Sequence, residues 1–194
     1  MAGVTLGLTA HQRFVGSNLV NDGAGTFTAQ TGLSMTAPSP ADPFATWNFG
    51  FYIGGANAGQ FAYRLYYDFD SGAGTAESAH VYAQLNAGVV RAAPAQGSWN
   101  LGMNFLATSG PWTLPPPNQA VVIGSFVAPS MAFDPNRAGQ YTFALAAGTV
   151  DVTGAFTERA RSAIRVNVVP EPGSLALVGL ALAGLGIASR RRQA

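Results

Sequence analysis

The stretch QFAYRLYYD, Gln60 to Asp68, narrows the fold more than any other part of this 194-residue chain. Phe61, Tyr63, Leu65 and Tyr67 fall on one parity and Ala62, Arg64, Tyr66 and Asp68 on the other, the two-residue repeat of a strand with one face buried. The repeat returns in TWNFGFYI, where Trp47, Phe49, Phe51 and Ile53 share a face. QYTFALAA groups Tyr141, Phe143 and Leu145, and SAIRVNVV groups Ile164, Val166 and Val168.

Turn chemistry separates these runs: NDGAG at Asn21 to Gly25, GGANAG at Gly54 to Gly59, DSGAG at Asp70 to Gly74 and DPNRAG at Asp134 to Gly139. Further strands are expected in VTLGLT, AGTFTAQ, AHVYAQL, WNLGMNFLA and AVVIGSFV, which makes roughly nine or ten in all. Ahead of the C-terminal tail no window free of Gly and Pro carries a 3.6-residue repeat, which argues against a parallel α/β sheet. The expected fold is all-β: an antiparallel β-sandwich, jelly-roll-like in its connections, over residues 1–168.

Composition removes several functions. Cysteine is absent, so disulfide frameworks, zinc knuckles and thiol nucleophiles are excluded. Lysine is absent too, and seven arginines stand against nine carboxylates in residues 1–189, a formal charge of −2. The net +1 of the whole chain therefore belongs to Arg190, Arg191 and Arg192, and no basic face is left for nucleic acid. The only histidines, His11 and His80, are expected at the surface or at a strand edge. With no GxSxG elbow, no enzyme activity and no cofactor are expected.

Two candidate ligand sites remain. Asp68 and Asp70, in YYDFDSGAGTAES, are the carboxylates best placed to hold calcium, although Gly72 and Ala79 stand where an EF-hand-type loop needs oxygen ligands. The simpler reading is the polar end of a strand entering an Asp-initiated turn. Trp112, in the proline-rich loop SGPWTLPPPNQ, is the candidate for stacking a sugar ring, against the competing role of capping the open end of the sandwich.

The tail has its own logic. From Gly173 to Ser189 seventeen residues pass without a charge, the lower limit for crossing a bilayer core of about 30 Å. The run is apolar all round and ends in three arginines, so it reads as a single transmembrane helix with a cytoplasmic C-terminus. Pro170, Glu171 and Pro172, the short apolar helix and the terminal arginine cluster, in that order, resemble the PEP-CTERM sorting domain. The preceding region is similar to soluble regions of that family, in which a YYDFD strand end and an FDPN turn leading into YTFAL recur.

The resemblance implies passage across the inner membrane of a Gram-negative, exopolysaccharide-making bacterium. It also implies recognition by an exosortase-type membrane protease or transpeptidase, cleavage near Pro170 to Pro172, and release or attachment at the surface. Residues 169–194 are then the sorting tail, in transient contact with inner-membrane lipid. The mature domain is expected to be a surface or matrix protein without catalysis, with a tethered exopolysaccharide-binding sandwich as the alternative. Because MAGVTLGLTAHQRF lacks the basic, apolar start of an export signal, the true start is expected upstream of Met1.

Overall fold

A computed structural model of the chain describes residues 3–34, 44–76, 80–85, 94–108, 112–113, 122–126, 129–170 and 173. β1 (Thr5–Gln12), β4 (Trp47–Gly54) and β7 (Ala95–Trp99) form a three-stranded sheet in the order β1-β4-β7. The remaining strands are β2 (Val20–Asn21), β3 (Thr26–Gln30), β5 (Ala62–Tyr67), β6 (Val81–Leu85), β8 (Trp112–Thr113), β9 (Val122–Phe126), β10 (Gly139–Val150) and β11 (Phe156–Val169). They line up as β2-β3-β11-β10-β5-β6-β9-β8. The described residues are β-rich, with 3-10 turns at Ala58–Gln60 and Asn104–Leu106.

The alternating residues join the two sheets. Trp47, Phe49, Phe51 and Ile53 of β4 are buried, as are Tyr141, Phe143 and Leu145 of β10. Phe49 stacks on Phe143 at 4.5 Å, and Trp47 meets the same ring edge-on at 6.1 Å. A one-residue slip of β4 would turn all four of its core side chains to water, at roughly 1.5–3 kcal/mol each. That penalty is why register follows parity here.

Three departures from the expected pattern have local causes. β3 pairs with β11 in parallel, Phe27 opposite Val166, so the larger sheet is not wholly antiparallel, and a split of three strands against eight is more lopsided than a jelly roll. WNLGMNFLA is not one strand: β7 ends at Trp99, and the chain turns through Asn100 into the Asn104–Leu106 turn. The Asn100 side chain is fully buried and takes backbone partners on a neighbouring segment, which competes with continued pairing. β11 also begins at Phe156, earlier than its apolar repeat, because Thr157, Glu158 and Ala160 to Ser162 pair along β10 around a bulge at Arg159, with side chains exposed or half-buried.

Among the described residues no helix is long and apolar enough to cross a membrane. The expected transmembrane helix, with Arg190, Arg191 and Arg192, lies outside the described residues, as do Glu171 and Pro172.

Candidate functional site

The inward parity of β4 leaves Asn48, Gly50, Tyr52 and Gly54 on the outer face of the small sheet. Register then sets Gly7, Thr9 and His11 of β1 beside Tyr52, Gly50 and Asn48, and Gln96 and Ser98 of β7 beside Tyr52 and Gly50. A groove of about 540 Å³ lies over this face, and no charged residue lines it. Its floor is low because Gly50 carries no side chain, and a Cβ there would come within 3.0 Å of Thr9 Cγ2. Gly54 has a second role, since the Tyr52 ring lies across it with Cζ 2.8 Å from where a Cβ would stand. Any larger residue would lift that half-exposed ring from the sheet.

The polar groups of the groove are held in one arrangement. His11 Nδ1 lies 3.0 Å from the Gln12 carbonyl, which can only accept, so Nδ1 carries the proton. In the Nδ1–H tautomer Nε2 accepts from the Ser98 hydroxyl at 2.8 Å, and Asn48 Nδ2 donates to Ser98 Oγ at 3.0 Å. A serine aimed at an imidazole is half of a nucleophile and base pair. Acyl transfer also needs N–H donors aimed at an oxyanion, whereas the backbone N–H groups of a paired strand lie in the sheet plane. The arrangement suits binding of a neutral, hydroxyl-rich ligand.

His11 stands in β1, the edge strand of the small sheet, as expected of a strand-edge histidine, and it lines this groove. Nothing local signals the pairing, because Ser98 is 87 positions away. What was legible is the outward parity of β4, which already put Asn48, Gly50 and Tyr52 on one face.

Asp68 and Asp70 sit just beyond β5. Asp68 Oδ1 accepts the Asp70 amide and Asp70 Oδ1 accepts the Gly72 amide, both at 2.9 Å, so each carboxylate spends an oxygen on the turn. Asp68 Oδ2 faces His80 Nε2 at 3.5 Å, and Thr142 Oγ1 is 2.9 Å from the same nitrogen. His80 thus stands directly ahead of β6, with its side chain buried rather than at the surface, the first of the two places expected. Among the described residues no group of three or more histidine or carboxylate side chains is placed to hold a metal ion.

The recurring motifs meet nearby. Tyr67, Phe69, Phe133 and Tyr141 form a chain of ring contacts at 5.8–6.3 Å, joining the YYDFD strand end to the FDPN turn and the YTFAL strand. Gly139 lets the segments touch, since a Cβ there would strike the Ser71 carbonyl. Burial pushes the Tyr141 hydroxyl up to about 12 and raises that of Tyr67 as well, which keeps both neutral as hydrogen-bond donors. These motif residues are architecture.

Trp112 lies in β8, a two-residue strand at the edge of the larger sheet, rather than in a loop. Its side chain is outside the description. Pro170 is exposed directly after β11.

The described residues form a β-rich domain whose last strand runs straight into an exposed proline. Residues 168–192 match the PEP-CTERM protein-sorting motif, and the chain is a PEP-CTERM sorting domain-containing protein. The motif indicates exosortase-dependent sorting, with export and membrane passage toward the cell surface. No curated protein and no solved structure matches the chain.

Proposed function

We propose that the protein is an exported surface or matrix-associated protein that an exosortase cuts at Pro170 to Pro172, and that it has no catalysis of its own. The observation that supports this is the lack of any spacer between fold and address. β11, held by β10 on one side and β3 on the other, continues to Val169, while the sorting motif begins at residue 168. The enzyme therefore meets its target where the last ladder ends. The two prolines favour extended backbone at Glu171. Gly173 to Ser189 is a short span that parks the chain in the bilayer, with Arg190, Arg191 and Arg192 on the cytoplasmic side.

In the native host, Glu171→Ala is expected to leave the full-length form accumulating in the membrane fraction. Peptides from Leu175 to Ser189 recovered by mass spectrometry in the surface form would instead make the tail a permanent anchor.

The groove on the small sheet favours a second reading, a tethered module for a neutral exopolysaccharide. On this reading the site centres on Tyr52, and Trp112 lies elsewhere. Tyr52→Ala is expected to weaken retention on the host polysaccharide about tenfold, the worth of one stacked ring. Trp112→Ala should leave it unchanged, and the opposite pattern would move the site to the edge of the larger sheet.

A further inference from the structure

Large exposed hydrophobic side chains normally scatter singly over a surface. Here nine are exposed among the described residues, and five of them gather where β11 ends: Phe14, Val15, Val20, Leu33 and Val169. Four of the five, all but Phe14, line one groove of about 750 Å³. Backbone contacts tie these segments together, since the Thr31 amide bonds the Val169 carbonyl, the Arg13 amide bonds Thr46, and Gly32 bonds Pro135.

Phe14 stands out twice. It is 65% exposed, and it is the one non-glycine residue with positive φ, +61°, among the described residues. That conformation costs about 1–2 kcal/mol for a residue with a Cβ. Its ring touches the Arg13 guanidinium at 4.5 Å but is not drawn into the core. Strain that presents a phenylalanine and a following valine to water gains nothing inside the fold.

We propose that this end of the sandwich is a membrane-docking face, which rests on the outer leaflet of the bilayer that receives the tail. The proposal builds on the sorting reading above. Only Pro170 to Pro172 separate β11 from the apolar run, roughly 10 Å of extended chain. Insertion of the tail therefore brings the rim to the interface, where apolar side chains bury 5–10 Å deep, on the order of the headgroup and acyl boundary. The bordering charges, Arg13 and Arg137 against Asp134 and Glu171, cancel, so the face carries no net charge to oppose an anionic surface. Docking would hold Glu171 at the depth where a membrane-embedded enzyme works.

The chain has no cysteine, so single cysteines can carry an environment-sensitive dye on the full-length protein. Val15→Cys and Val20→Cys report on the rim, Val152→Cys on the opposite end and Leu182→Cys on the tail. In vesicles of phosphatidylethanolamine and phosphatidylglycerol doped with a nitroxide lipid, the rim dyes are expected to be quenched several-fold more than the Val152 dye. Quenching at Leu182 with rim dyes no different from Val152 overturns the docking face and leaves the sorting reading intact. No quenching at Leu182 removes the sorting reading and the docking face with it. Efficient cross-linking between two Val15→Cys chains, with the rim dyes unquenched, overturns the proposal in favour of a second copy on this surface.

Discussion

The two ends of the β10–β11 pair are fastened in opposite ways. At the hairpin end the reversal is held by Asp151, whose Oδ1 accepts from the Thr153 amide at 2.8 Å, the Thr153 hydroxyl at 2.6 Å and the Ala155 amide at 3.0 Å. The group is exposed, so water competes for every one of those bonds. At the tail end the fastener is Asn100, fully buried. Its Nδ2 is shared among the Ala45 carbonyl at 3.0 Å, the Trp47 carbonyl at 2.7 Å and Asn48 Oδ1 at 2.9 Å. Its Oδ1 accepts the Ala45 and Gly102 amides.

Between Ala45 and Trp47, Thr46 bonds both the Arg13 amide and the Gln30 carbonyl, so one amide side chain braces the place where β1, β3 and β4 converge. The difference teaches that the end carrying the sorting tail is braced mainly by the neutral, buried bonds of one amide. The free hairpin depends on a charge.

Removing Asn100 should produce the largest effect. Asn100→Ala strands several buried donors and acceptors at about 1–3 kcal/mol each, and a loss of about 3–5 kcal/mol in urea unfolding is expected. A loss below about 1 kcal/mol would break the contrast, because the two ends would then be equally loosely held.

Acid should separate the ends next. The Thr153 hydroxyl first, and then the Ala155 and Thr153 amides, hold the Asp151 carboxyl below its ordinary 3.8. A depressed carboxylate stabilises the fold above its unfolded value and loses that effect as pH falls through its folded value, so the window lies below about pH 4. Intrinsic-rate-corrected hydrogen exchange at the Thr153 and Ala155 amides should rise there while Ala45 stays protected. Asp151→Asn should flatten the profile. An acid response that reaches Ala45 would mean that the two ends open as one unit.

The smallest effect carries the sharpest information. Asparagine tolerates positive φ, so Phe14→Asn is expected to leave thermal stability unchanged or raise it by up to about 1 kcal/mol. A clear fall in melting temperature would show that the phenylalanine serves the fold rather than a surface beyond it.

Much of this was legible from neighbours in the chain. Parity along QFAYRLYYD and TWNFGFYI determined which side chains face the core, because side-chain direction in a strand depends only on position modulo two. The order of Pro170, Glu171 and Pro172, an apolar run and Arg190 to Arg192 determined the sorting motif, because that signal is a short contiguous stretch of chain. The expected strand over WNLGMNFLA failed at Asn100, whose side chain found Ala45 and Trp47 more than fifty positions back. Only the tertiary structure decided that His11 meets Ser98, that β3 lies parallel to β11, and that Val15, Val20, Leu33 and Val169 line one groove. Each of these depends on which strands lie side by side, and that choice is made by buried area and paired backbone summed over the whole molecule.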